Sequence, residues 1–67
     1  MPFVSIRILA GHKQETKDRI AKGTVKAITE ATGLPDEAVW VVFEDVTGED
    51  WFVGQKTVTS LKASGKL

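Results

Sequence analysis

Polar and apolar residues alternate from Phe3 to Ala10 (FVSIRILA). Val4, Ile6 and Ile8 fall on one face, and Phe3, Ser5, Arg7 and Leu9 on the other. A period of two is that of a strand. Gly11 and His12 break the run. From Lys13 to Thr32 the spacing becomes helical, with Ile20, Thr24, Ala27, Ile28 and Ala31 forming a narrow stripe of small apolar residues. Glu15 and Arg19, and Asp18 and Lys22, stand four apart on the outer face, a favourable spacing for ion pairs. Gly23 within this segment costs up to about 1 kcal/mol relative to alanine unless close packing requires it. Gly33 suits the residue just past a helix and Pro35 follows it. Pro35-Asp36-Glu37-Ala38 reads as a short turn. Val39 to Glu44 (VWVVFE), rich in β-branched and aromatic residues, reads as a second strand. Thr47 to Asp50 is a loop, and Trp51-Phe52-Val53-Gly54 reads as one arm of a small hairpin. Gln55 to Leu67 is polar and weakly patterned, so its end is expected to fray.

The order is strand, helix, strand. The connection is long enough for a crossover, which makes the strands parallel and the crossover right-handed. The expected class is α+β: one β-α-β unit with a short C-terminal hairpin, forming one domain over residues 1–67. Two strands and one helix do not complete a fold. The open edge and the uncovered sheet face demand a partner chain.

Size sharpens that expectation. Ordering 67 residues costs on the order of 100 kcal/mol, at about 1.5 kcal/mol per residue. A single core of this size barely offsets the cost. The sequence has no cysteine, so neither disulfides nor thiolate metal sites can staple it. One histidine builds no metal site alone. Oligomerisation remains as the way to bury more apolar surface.

Charge narrows the partners. Nine basic residues balance nine acidic ones, which leaves no basic footprint for a nucleic acid. The two halves differ in sign. Residues 1–33 carry six cations against three carboxylates, and residues 34–67 carry six carboxylates against three lysines. Such halves could attract one another across subunits, although a solvated helix face and acidic loops account for them more simply. No segment is long or apolar enough to span a membrane, and no signal peptide is visible. A cytoplasmic protein is the expectation, compatible with the lack of cysteine.

The candidate chemistry begins at Pro2, directly behind Met1. Removal of Met1 leaves a secondary amine on a rigid ring. An α-amino group titrates at roughly 7.7–8.0 in the absence of perturbation. Apolar burial or nearby cations move such an amine toward the free base. A proton shuttle needs a group that titrates near the working pH. With Met1 attached, the same nitrogen is an amide and cannot act as a base. Pro2 could equally serve only to stiffen the chain entry or keep its edge from pairing.

Pro2 after Met1, the strand FVSIRILAGH, the helix opening KQETKDRI, the break TGLPDEAV, the strand VWVVFED and the late EDWFVG occur together in this order. The chain thereby resembles the 4-oxalocrotonate tautomerase family through Gly54. The resemblance implies that Met1 is removed and that the N-terminal proline acts in the site. It implies that two chains pair into a four-stranded sheet backed by two helices, with dimers assembling as trimers into hexamers. Sites then lie at subunit boundaries. The implied reaction moves a proton within a 2-hydroxy-dienoate or enol-pyruvate type substrate, without metal or organic cofactor.

The chain departs from the family members that act on the dicarboxylate 2-hydroxymuconate. They carry an arginine after the first strand, where this chain has His12, and another at the start of the second strand, where it has Trp40. Arginine grips a carboxylate bidentately. His12 can supply a donor, and Trp40 an N–H and a large apolar face. Both changes favour a more apolar or aromatic enol, such as phenylenolpyruvate, or a different natural reaction. Trp51 falls where the family places an aromatic wall over the proline. The bland readings are a surface loop for His12 and interface packing for Trp40. Arg7 and Lys13 are nearby cations that could stand in for a missing arginine.

Two other functions stay open. One is hydration or dehalogenation of a 3-substituted acrylate. This chain has Ala38 and Val53 where relatives of that kind carry such a carboxylate, although Glu49 and Asp50 lie close by. The other is a non-catalytic oligomeric binding module.

Overall fold

The computed structural model describes residues 1–67. The order is β1 (Phe3–Leu9), α1 (Gln14–Thr32), a 3₁₀ turn at Asp36–Ala38, β2 (Trp40–Val46), a 3₁₀ turn at Gly48–Asp50, β3 (Phe52–Val53), β4 (Lys56–Thr57) and α2 (Val58–Ala63). β1 and β2 pair in parallel, with Phe3 opposite Trp40, Arg7 opposite Glu44 and Leu9 opposite Val46. The ladder runs one step further at each end, where the Trp40 amide donates to the Pro2 carbonyl at 3.0 Å and the Ala10 amide to the Val46 carbonyl at 2.8 Å. β3 and β4 form an antiparallel hairpin.

The alternation read in β1 holds. Val4, Ile6 and Ile8 are half-buried and Phe3, Ser5 and Arg7 exposed, while Val41 and Phe43 continue the covered face on β2. The face of α1 differs from the expected stripe by part of a turn. Ile20, Ala21, Thr24, Val25, Ile28 and Thr29 are half-buried, whereas Ala27 and Ala31 are exposed. A row of paired neighbours covers a flat sheet better than the single line of small residues. β2 begins at Trp40 rather than Val39 and runs on to Val46. Val39 instead ends the 3₁₀ turn and is 8% exposed.

The charge asymmetry acts within the chain. Lys17 on α1 donates to Asp45 on β2 at 2.7 Å, with the lysine side chain 17% exposed, so this pair ties the basic helix to the acidic strand. The expected helix pairs Glu15–Arg19 and Asp18–Lys22 are not formed, and the Gln14 amide donates to Asp18 instead.

The segment expected to fray is ordered as β4 and α2. Two local devices stop the six-residue helix at both ends. Thr57 caps it, its side chain accepting from the Ser60 amide at 3.0 Å. At the far end the Lys66 amide donates to the Leu61 carbonyl and the Gly65 amide to the Lys62 carbonyl, the pattern of a Schellman close. Val58 is 4% exposed and anchors the helix, its amide bonded to the Trp51 carbonyl at 2.8 Å. α2 also lies against Gly48. A Cβ there would collide with the Thr59 hydroxyl and crowd its amide at 3.1 Å. Gly48→Ala is therefore expected to destabilise the α2 contact by about 1–3 kcal/mol. Amide hydrogen exchange should accelerate at residues 58–63 before it does in β1. Unchanged exchange there would contradict this packing.

Val39 and Val58 are the only buried residues, and neither is completely enclosed. The radius of gyration is 15.2 Å, against about 11 Å for a compact chain of this length. One sheet face is covered by α1. The other carries Phe3, Trp40 and Val42 at 63, 55 and 47% exposure with nothing over it.

Candidate active site

The candidate residues divide between the two ends of the sheet. Pro2 and Trp40 lie at the end where β1 and β2 begin, linked by the Trp40 amide to the Pro2 carbonyl. Pro2 is half-buried. Phe3 stands opposite Trp40 in the ladder, and both rings project from the uncovered face. Met1 is 82% exposed. No lysine or arginine belongs to this end of either strand.

His12 and Trp51 lie at the opposite end. His12 is exposed in the turn after β1. Trp51 follows the 3₁₀ turn after β2 and is half-buried, lining an open hollow of about 310 Å³ with Arg7, Val46, Asp50 and Phe52. β1 takes six residue steps from Phe3 to Leu9, which at about 3.3 Å each separates the two ends by roughly 20 Å. A small substrate cannot touch both ends of one chain. The structure thus brings Pro2 together with Trp40, and Trp51 together with Arg7, but does not join the two groups within one subunit.

The sequence alone identifies Arg7 only as a nearby cation. Its place beside Trp51 comes from the strand register, which pairs Arg7 with Glu44 two steps before Val46. The largest hollow, about 550 Å³, lies elsewhere. Val25, Val39 and Val41 line it between α1 and β2, with Lys22, Lys26 and Asp36 at its rim. It contains none of the candidate residues.

A parallel β-α-β unit with a proline just before its first strand, a bare sheet face and a C-terminal hairpin defines a class of small α+β proteins. Residues 2–60 match the family model described as tautomerase enzyme, and the chain belongs to the tautomerase family. A probable tautomerase of Bacillus cereus is 32% identical over 59 residues, covering 88% of this chain and 97% of that protein. Among solved structures, TomN, a 4-oxalocrotonate tautomerase homologue in the tomaymycin biosynthetic pathway, superposes with a TM-score of 0.91. It is 31% identical, and the match covers 96% of this chain and 98% of that one. The heterohexamer 4-oxalocrotonate tautomerase of Chloroflexus aurantiacus J-10-fl matches with a TM-score of 0.84 at 26% identity, covering 91% of this chain and 98% of its own. These relatives support an isomerase-type enzyme. No helix here is long and apolar enough to cross a membrane.

Proposed function

We propose that this chain is a cofactor-free tautomerase in which Pro2, freed by removal of Met1, is the general base. The Pro2–Trp40 end of one subunit meets the His12–Trp51 end of another to complete each site. The observation that carries this reading is the separation of the candidate residues by the length of the sheet, on a chain whose second sheet face is bare. Association, as a hexamer of three dimers, turns two half-sites into one.

In the reaction the Pro2 nitrogen takes a proton from the substrate hydroxyl or carbon. It returns the proton to another position along the same conjugated system. One base suffices because both positions share one face. Negative charge develops on a carbonyl oxygen, where donors such as His12 are worth most in a water-poor site. Trp51 from the neighbouring subunit supplies the apolar wall that favours the unprotonated amine. Trp40, exposed beside Pro2, supplies a flat apolar floor. The substrate class this favours is an enol-pyruvate or 2-hydroxy-dienoate with an apolar or aromatic tail.

Intact-mass measurement of native protein tests the premise. The expected mass lacks Met1. A mass that retains it leaves an amide at Pro2 and makes the chain a non-catalytic binding module. Asp50 in the Trp51 hollow gives the hydratase reading its one support, a carboxylate placed to activate water. Halide release from a 3-chloroacrylate exceeding enol ketonisation would favour that reading.

A further inference from the structure

We propose that Arg7 is the group that holds the substrate carboxylate, that Glu44 limits how tightly it does so, and that the ligand this hollow selects is a monocarboxylate with an aromatic or apolar tail. The proposal rests on the tautomerase reading for its substrate, and on the Arg7–Trp51 end of the bare face staying open when the Phe3, Trp40 and Val42 end is covered by a neighbouring subunit.

Arg7 is the only cation lining the Trp51 hollow, and Val46, Trp51 and Phe52 make the rest of that lining apolar apart from Asp50. Its guanidinium is held loosely. The contact with Glu44 is a single Nε to Oε2 approach of 3.5 Å between side chains 72 and 60% exposed. Charge-assisted hydrogen bonds between such groups run about 2.7–2.9 Å and are commonly bidentate. The two terminal nitrogens of Arg7 donate to no protein group, so the planar edge that suits a carboxylate is free. Lys17 cannot substitute for it. Its amine is engaged by Asp45 at 2.7 Å on the covered side of the sheet.

The same residues set the ligand's charge. Arg7, Glu44 and Asp50 together carry one positive and two negative charges. One carboxylate can displace Glu44 from Arg7. A second finds no cation in the hollow and two acids beside it. Trp51 and Phe52 offer aromatic faces to an apolar tail, where ring contacts favour an aromatic partner.

The test is a tryptophan-fluorescence titration of the assembled protein with hydrocinnamate, its alcohol analogue hydrocinnamyl alcohol, and the dicarboxylate phenylsuccinate. Wild type is expected to bind hydrocinnamate more tightly than either of the others. Arg7→Gln should weaken hydrocinnamate about tenfold, the scale of a hydrogen bond to a charged group, and leave the alcohol within about twofold. Arg7→Lys should recover only part of the loss, because a point charge replaces the fork. Glu44→Gln is the sharpest arm. It should tighten hydrocinnamate severalfold and phenylsuccinate more, since a competing acid has gone.

The proposal is overturned if Arg7→Gln leaves hydrocinnamate unchanged or weakens the alcohol equally. It is also overturned if Glu44→Gln weakens binding as Arg7→Gln does, or if Arg7→Lys dissociates the oligomer, because the pair is then structural. Pro2→Ala separates this from the tautomerase reading. Turnover lost with hydrocinnamate binding intact sustains both. Turnover unchanged in Pro2→Ala removes the proline mechanism and leaves the Arg7 result standing or falling alone.

Discussion

Pro2→Ala is expected to lower enol ketonisation by about 10²- to 10⁴-fold, the range that a positioned acid–base group contributes, with the oligomer unchanged. The substitution is conservative for the fold. Pro2 donates no hydrogen bond, and its carbonyl, which accepts from the Trp40 amide, survives in alanine. An alanine terminus still offers an amine, so the loss reads the value of the ring. A primary amine at the end of a freely rotating residue is better hydrated and is not held over the substrate, whereas the pyrrolidine ring fixes rotation about the N–Cα bond. Ketonisation of phenylenolpyruvate by both proteins, stripped of Met1, is the measurement. Equal rates would remove Pro2 from the mechanism. Protein that retains Met1 should match Pro2→Ala or fall below it, because an amide nitrogen takes no proton.

Much of the fold was legible because the strands obey a strict period. Val4, Ile6 and Ile8 face the helix as their spacing dictates, and Phe3, Ser5 and Arg7 face away. The face of α1 is less legible. Its apolar residues are few and small, so Ala27 and Ala31 competed with Ala21 and Val25 for the same stripe, and only the sheet decides between them. α2 escaped because its six residues carry too little periodicity to register. Its signals were the Thr57 cap and the Gly65 stop, which mean little until Val58 finds a place to be buried. The candidate site was legible residue by residue but not as an arrangement. Ten positions of mostly extended chain separate Pro2 from His12, enough to preclude their meeting in one subunit. Arg7 was seen, but nothing local in the sequence pairs it with Trp51, because that neighbour arrives through the β2 register and the turn at Gly48–Asp50.

Val42→Glu is expected to abolish assembly and, with it, the folded state. On the isolated chain the change would be harmless. Val42 is 47% exposed, lies opposite Ser5 in the ladder, and exposed substitutions are usually worth less than about 0.5 kcal/mol. The chain, however, has only two buried residues and cannot offset its ordering entropy alone. Its stability must come from covering the face that holds Phe3, Trp40 and Val42. Burying a glutamate there costs several kcal/mol without a partner. Glu44 lies two positions away on the same face with Arg7 already opposite it, so the new charge meets repulsion rather than relief. Since assembly and folding are linked by mass action, the wild-type melting temperature should rise with protein concentration. Val42→Glu should lose that dependence together with its helical circular dichroism. Sedimentation velocity and thermal melts at several concentrations make the comparison. A variant that sediments and melts like wild type would mean that the face is bare in solution, and the two half-sites would then have no route to each other.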